Sequence, residues 1–130
     1  MNREITFIGL NPSRLKISKS KNSAYKRFHE WLNFLEIKHC SFTNLSADPE
    51  WDFKYSTLDC TFLFTSINKD GIIIAWGDKV SQYLTRMGIT NHFVIPHPSG
   101  LNRKLNDHKY VHHTLTECKE YIRENSNSIR

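Results

Sequence analysis

Apolar positions along this chain fall into short blocks whose spacing alternates between strand and helix. Ile5 to Leu10 reads as a buried strand, and Ile72-Ile73-Ile74-Ala75-Trp76 is unbroken, as expected of a central parallel strand covered on both faces. Cys40 to Ser46 and His92 to Ile95 give two further strands. After Ser23, a suitable N-cap, Tyr25, Phe28, Trp31, Leu32 and Leu35 recur at helical spacing. Ser56 and Asp59 have capping-box spacing ahead of a short helix over Phe62 to Ile67, and Lys69-Asp70-Gly71 forms the following turn. Asp78 is expected to cap a third helix that Gly88 ends. From about Asn106, the series Val111, Leu115, Cys118 and Ile122 marks an amphipathic terminal helix, with Asn125 to Arg130 frayed.

Strands alternating with helices imply right-handed crossovers. The expected fold class is α/β: a three-layer α/β/α sandwich on a short four-stranded parallel sheet, as one domain over residues 1–130. With 38% hydrophobic residues, the chain can bury a core without staples. Cys40, Cys60 and Cys118 are widely spaced within apolar patterns and read as reduced core residues, a spacing that builds neither a zinc site nor an iron–sulfur cluster. The amino terminus runs straight into a strand, and no apolar stretch approaches the ~20 residues that span a bilayer. The expectation is a cytoplasmic monomer without cofactor, metal or membrane anchor.

Two turns carry the polar residues that such a sheet places at its mouth. Gly9-Leu10-Asn11-Pro12-Ser13 follows the first strand, and His97-Pro98-Ser99-Gly100-Leu101-Asn102-Arg103 follows the fourth. Ligands of open α/β sheets bind beyond the carboxyl ends of the strands, so both turns are expected to face one pocket. Charge agrees with this. No acidic residue occurs between Ile5 and His29, where Arg14, Lys16, Lys19, Lys21, Lys26 and Arg27 lie, nor from Lys79 to Asn106. Within a net charge of +5, that concentration suits a polyanion. The Gly9 turn lacks the second Gly and the Lys of a P-loop, and lacks the glycine pattern of a dinucleotide site, which sets kinases and dehydrogenases aside.

These residues carry a resemblance. Gly9-Leu10-Asn11-Pro12-Ser13 resembles the first motif of the uracil-DNA glycosylase superfamily, in the Asn-bearing form of its mismatch-specific and single-strand-selective branches. His97 to Arg103 resembles the second motif, and Phe42-Thr43-Asn44-Leu45 the strand end that bears a base-reading Asn. The match runs in order along nearly the whole chain.

The resemblance implies a uracil-DNA glycosylase-like fold and hydrolysis of the bond between a flipped uracil, or a related modified pyrimidine, and its sugar in DNA, single-stranded or mispaired. Asn11 would hold the attacking water, and His97 would donate to O2 of the departing base, where negative charge grows. Gly9, Leu10 and Asn44 would bind the base, Asn44 accepting from N3–H and donating to O4. Leu101 would fill the gap in the stack. Ser13, Arg14, Lys19, Lys21, Ser99, Gly100, Asn102 and Arg103 would hold the DNA.

Two departures matter. The loop from Arg14 to Ser23 lacks the family's base-stacking aromatic residue; either Tyr25, Trp51 or Phe53 supplies the stacking face from elsewhere, or the pocket takes a larger modified base. No acidic residue follows the first motif to activate water, so modest turnover is expected. Two other readings remain: an inert member of the fold that binds nucleic acid or nucleotide, and an unrelated α/β enzyme acting on a soluble phosphorylated or nucleoside substrate. His108 and His112, four apart on the terminal helix, read as a solvated face rather than a metal site.

Overall fold

The computed structural model describes residues 4–10, 23–98 and 106–126. Four parallel strands, β1 (Ile5–Gly9), β2 (Ser41–Asn44), β3 (Ile72–Trp76) and β4 (Phe93–Ile95), form one sheet in the order β2-β1-β3-β4. Helices α1 (Ser23–Leu35), α2 (Cys60–Ser66), α3 (Asp78–Arg86) and α4 (His108–Ser126) flank it. The architecture is the α/β sheet with helical layers that the alternating pattern predicts.

Strand periodicity assigns the layers. From β1, Phe7 faces one side with Ile72, Ile74 and Ile95, where Trp31 and Leu35 of α1 and Leu115, Cys118 and Ile122 of α4 cover them. Ile8, Ile73 and Ala75 face the other side, under Leu63 and Ile67 and under Val80 and Leu84 of α3. Ile72 to Ala75 are thus buried on both faces, which explains a run with no polar residue.

Several local expectations are corrected. Ser56 does not cap α2; it lies in a separate 3-10 turn, Tyr55–Thr57, and α2 starts at Cys60, earlier than Phe62. Asp78 is the first helical residue of α3 rather than its cap, which is Gly77 at φ +93, a conformation open to glycine. Gly88 does end α3, at φ +87, with Gly88 N–H donating to Thr85 O and Ile89 N–H to Leu84 O, the paired bonds of a Schellman turn. Helix α4 begins at His108 and includes Asn125, whose amide donates to Tyr121 O at 2.8 Å, and Ser126, the first two residues expected to fray; residues 127–130 lie outside the described residues. Cys118 is core, its thiol pushed up to about 12 by burial, but Cys40 is exposed and Cys60 half-buried. All three are free thiols. His108 and His112 are both exposed on α4, as a solvated face requires.

Ile74 sits at the centre of the sheet with no exposed surface. Ile74→Ala should therefore cost about 2–5 kcal/mol in urea unfolding, whereas Lys38→Ala, at an exposed position, should stay within about 0.5 kcal/mol. Equal effects of the two would contradict the two-sided core.

Candidate functional site at the carboxyl ends of the strands

The chain leaves β1 toward β2 on one side and returns through β3 on the other, so the order of connection reverses between β1 and β3. A crevice opens where helices on opposite faces diverge at such a point. Gly9, Asn44 and Trp76 end the three strands around it, and His97 follows β4 by two residues.

Gly9 and Asn44 are register partners in the parallel pair β1–β2. A Cβ on Gly9 would lie 2.8 Å from Asn44 Oδ1, 3.1 Å from Phe42 Cζ and 3.5 Å from Trp76 Cε3. The carboxamide, the phenyl tip and the indole edge thus converge on the space above Gly9, and only a residue without a side chain leaves them there. Phe42 and Asn44, two apart on a strand, share that face. The backbone locks the strand ends together: Leu45 N–H donates to Gly9 O and Ser46 N–H to Leu10 O.

Trp76 connects this group to His97. Its ring centroid is 4.7 Å from Phe42, 4.9 Å from Phe28 of α1 and 5.1 Å from His97, the last two edge to face. Edge-to-face packing turns the positive rim of one ring toward the negative face of the next. The Trp76 indole N–H is buried and has no hydrogen-bond partner among the described residues. Burial pushes the His97 imidazole below its ordinary 6.5, so the ring is neutral at physiological pH. Arg27 on α1 donates to Pro98 O at 2.8 Å and so ties α1 to the exit of β4. His97 also lines a cavity of about 320 Å³ with Asp78, Ile95, Tyr110, Thr114 and Glu117.

Of the residues singled out in the sequence, Gly9, Asn44 and His97 come to one end of the sheet. Leu10 packs its side chain into the α2/α3 layer, so its contribution to base binding would rest on its backbone. Asn11, Ser13, Arg14, Lys19, Lys21, Ser99, Gly100, Leu101, Asn102 and Arg103 lie outside the described residues, as does the Tyr25 side chain. Trp51 cannot offer a stacking face: it is buried in the α2/α3 layer, its indole N–H donating to Thr57 Oγ1 at 2.8 Å. Phe53 is exposed, but it packs on Trp51 and beside Lys79, in the layer opposite to Phe42. The sequence pattern gave Phe42, Trp76 and Arg27 no role of their own in the site, although Phe42 lies in the motif that ends β2 and Arg27 in the basic stretch. For Phe42 the signal was present, because a residue two before Asn44 on a strand must share its face.

Gly9→Ala should move the Asn44 side-chain amide and Phe42 ring resonances in NMR spectra, at a stability cost of about 1–3 kcal/mol. Unchanged Asn44 resonances would show that the amide does not occupy this space. No protein-family model, curated protein or solved structure matches this chain.

Proposed function

We propose that this chain is a DNA glycosylase of the uracil-DNA glycosylase-like fold, hydrolysing the N-glycosidic bond of a flipped uracil or related modified pyrimidine. The observation that carries the reading is the convergence of Asn44, Gly9 and His97 at the carboxyl ends of the strands, beside an aromatic cluster. Asn44 offers a carboxamide, the group that pairs with N3–H and O4 of uracil and opposes the reversed pattern of cytosine. Gly9 leaves the space in which that amide stands.

Base loss from a nucleotide passes through a cationic sugar and an anionic base. A protein accelerates it by fixing dipoles where charge grows. His97, kept neutral by burial, donates one N–H to O2 of the base as negative charge develops there. A neutral donor stabilises the anion without transferring a proton to it. Asn11 holds the water that captures the sugar, a step needing little deprotonation because the sugar is already electrophilic. The proton of that water leaves to solvent, the departed anion takes one from solvent at N1, and the products are an abasic site and the free base.

The basic residues Arg14, Lys19, Lys21 and Arg103, with Ser13, Ser99, Gly100 and Asn102, hold the phosphates. Leu101 fills the vacated place in a duplex.

Uracil-containing oligonucleotides, single-stranded and mispaired, should yield alkali-labile abasic sites in the presence of EDTA. Asn11→Ala and His97→Ala should each lower cleavage by at least ~10-fold with little change in DNA affinity. Binding without base release from any such substrate would instead identify an inert nucleic-acid binder. The cleavage rate should hold as pH falls through 6.5 and change only below it, where the imidazolium forms, because His97 titrates below its ordinary value. In His97→Gln that acid limb should vanish, and its persistence would assign the limb to another group.

Leu101→Ala should impair duplex substrate more than single strand, since only a duplex must be held open, at a few kcal/mol per flipped base. Lys19→Gln with Lys21→Gln should weaken binding to every sequence about equally and flatten its dependence on salt. Equal loss on both substrate forms for Leu101→Ala would place that residue in the core.

A further inference from the structure

The sequence between Arg14 and Ser23 contains no aromatic residue, yet the mouth of the sheet is not without one. Phe42 is 44% exposed on the edge strand β2, two residues before its carboxyl end. Its ring is held from behind: Trp76 lies 4.7 Å away at an interplanar angle of 49°, and Phe28 lies 6.2 Å away at 58°. Phe28 and Trp76 are themselves edge to face at 4.9 Å, and Phe28 is edge to face with buried Phe7 at 5.0 Å. A ring supported by two others, one of them backed in turn by Phe7, with nearly half its surface open, is a rigid flat surface and loses little entropy when something stacks on it.

The surface stands beside a polar reader. Phe42 Cζ and Asn44 Oδ1 are both in contact with the same point above Gly9. The strand pleat fixes both side chains on one face, two residues apart. A planar heterocycle lying on the phenyl face therefore presents its edge, with its donors and acceptors, to the carboxamide. An aliphatic or non-planar ligand would gain nothing from this combination.

We propose that Phe42, supplied by β2 rather than by the loop after Asn11, is the stacking surface and a specificity-determining residue of the site, and that its ligand is a single nucleobase. The inference rests on the reading of Asn44 as the base reader, but not on base release. Trp76 touches both Phe42 and His97, so a base seated on the open face of Phe42 rests on a ring packed against the same indole that contacts the imidazole.

Two measurements separate this inference from the proposed activity. In steady-state cleavage of a uracil-containing single strand, Phe42→Ala should raise KM about 10- to 100-fold, as loss of one base–aromatic stack does, and Phe42→Tyr should restore it. Circular dichroism should show both variants folded, because the position is at an exposed edge. In the second measurement, Phe42→Trp is made with Trp31→Phe and Trp51→Phe, and its indole fluorescence is titrated with free uracil against the Trp31→Phe, Trp51→Phe chain that keeps Phe42, in which Trp76 alone emits, with ribose as control. Quenching by the base and not by the sugar is expected.

Should the wild-type chain release uracil and Phe42→Ala leave KM unchanged, the stacking role falls and the activity stands. Should no substrate be cleaved, the activity falls, and the titration alone decides: base-specific quenching upholds the platform, and its absence overturns it.

Discussion

The parallel pairing of β1 with β3 governs this molecule. Ile5 to Ile8 meet Ile72 to Ala75 in register although more than sixty residues separate them, and everything between must leave β1 on one side and return on the other. That detour places α1 and α2 on opposite faces, since each crossover is right-handed and the two run in opposite directions across the sheet. The price of closing so long a loop is recovered by the apolar strand β3, whose side chains are buried in both layers. The switch in connection order between the two carboxyl ends, where such sheets bind ligands, follows from the connectivity before any polar residue is considered.

What fills the crevice follows from strand register. Gly9 faces Asn44 across a backbone ladder, and the missing side chain of one makes room for the carboxamide of the other. An amide held by register rather than by a loop has few alternative positions, which suits a group that must tell one hydrogen-bonding edge from another. The aromatic cluster extends the same logic sideways, from Phe28 and Phe42 through Trp76 to His97. Each ring is presented by a different element, so the cluster joins α1 to three strands' ends.

Much of the fold was legible because its signals are periodic. The unbroken run from Ile72 to Trp76 gave β3 its two-sided burial, and Gly88 gave α3 its end. The failures came where the chain is neither strand nor helix by period. Ser56 and Asp59 have the spacing of a capping box, but Thr57 N–H donates to Lys54 O and closes a tighter turn, leaving α2 to begin at Cys60. Positive φ at Glu36 and Phe53 could not be foreseen, because neither residue favours it. At Glu36 the helix end is closed by Ile37 N–H donating to Leu32 O, with Lys119 Nζ 2.7 Å from the carboxylate, a partner from α4 invisible to local pattern.

The site divides in the same way. Asn44 and His97 stood out as polar residues at strand ends, and Gly9 as the glycine that opens the first turn. Phe42 and Trp76 did not, because an aromatic residue on a strand reads as core until its exposure and its neighbours are known. Trp76 shows why the two categories merge here. It closes a buried strand, yet its indole contacts the imidazole, the exposed phenyl ring and the space above Gly9. A change of volume at that position would therefore reach the core packing of α1 and the orientation of His97 together, and no substitution of Trp76 can separate stability from the geometry of the site. Phe42 is at the open end of the same cluster, where the ring can be removed without emptying the core. That difference in burial, 44% exposed against a partly buried indole whose N–H is covered, makes Phe42 the position at which the function of the cluster can be tested apart from its structural role.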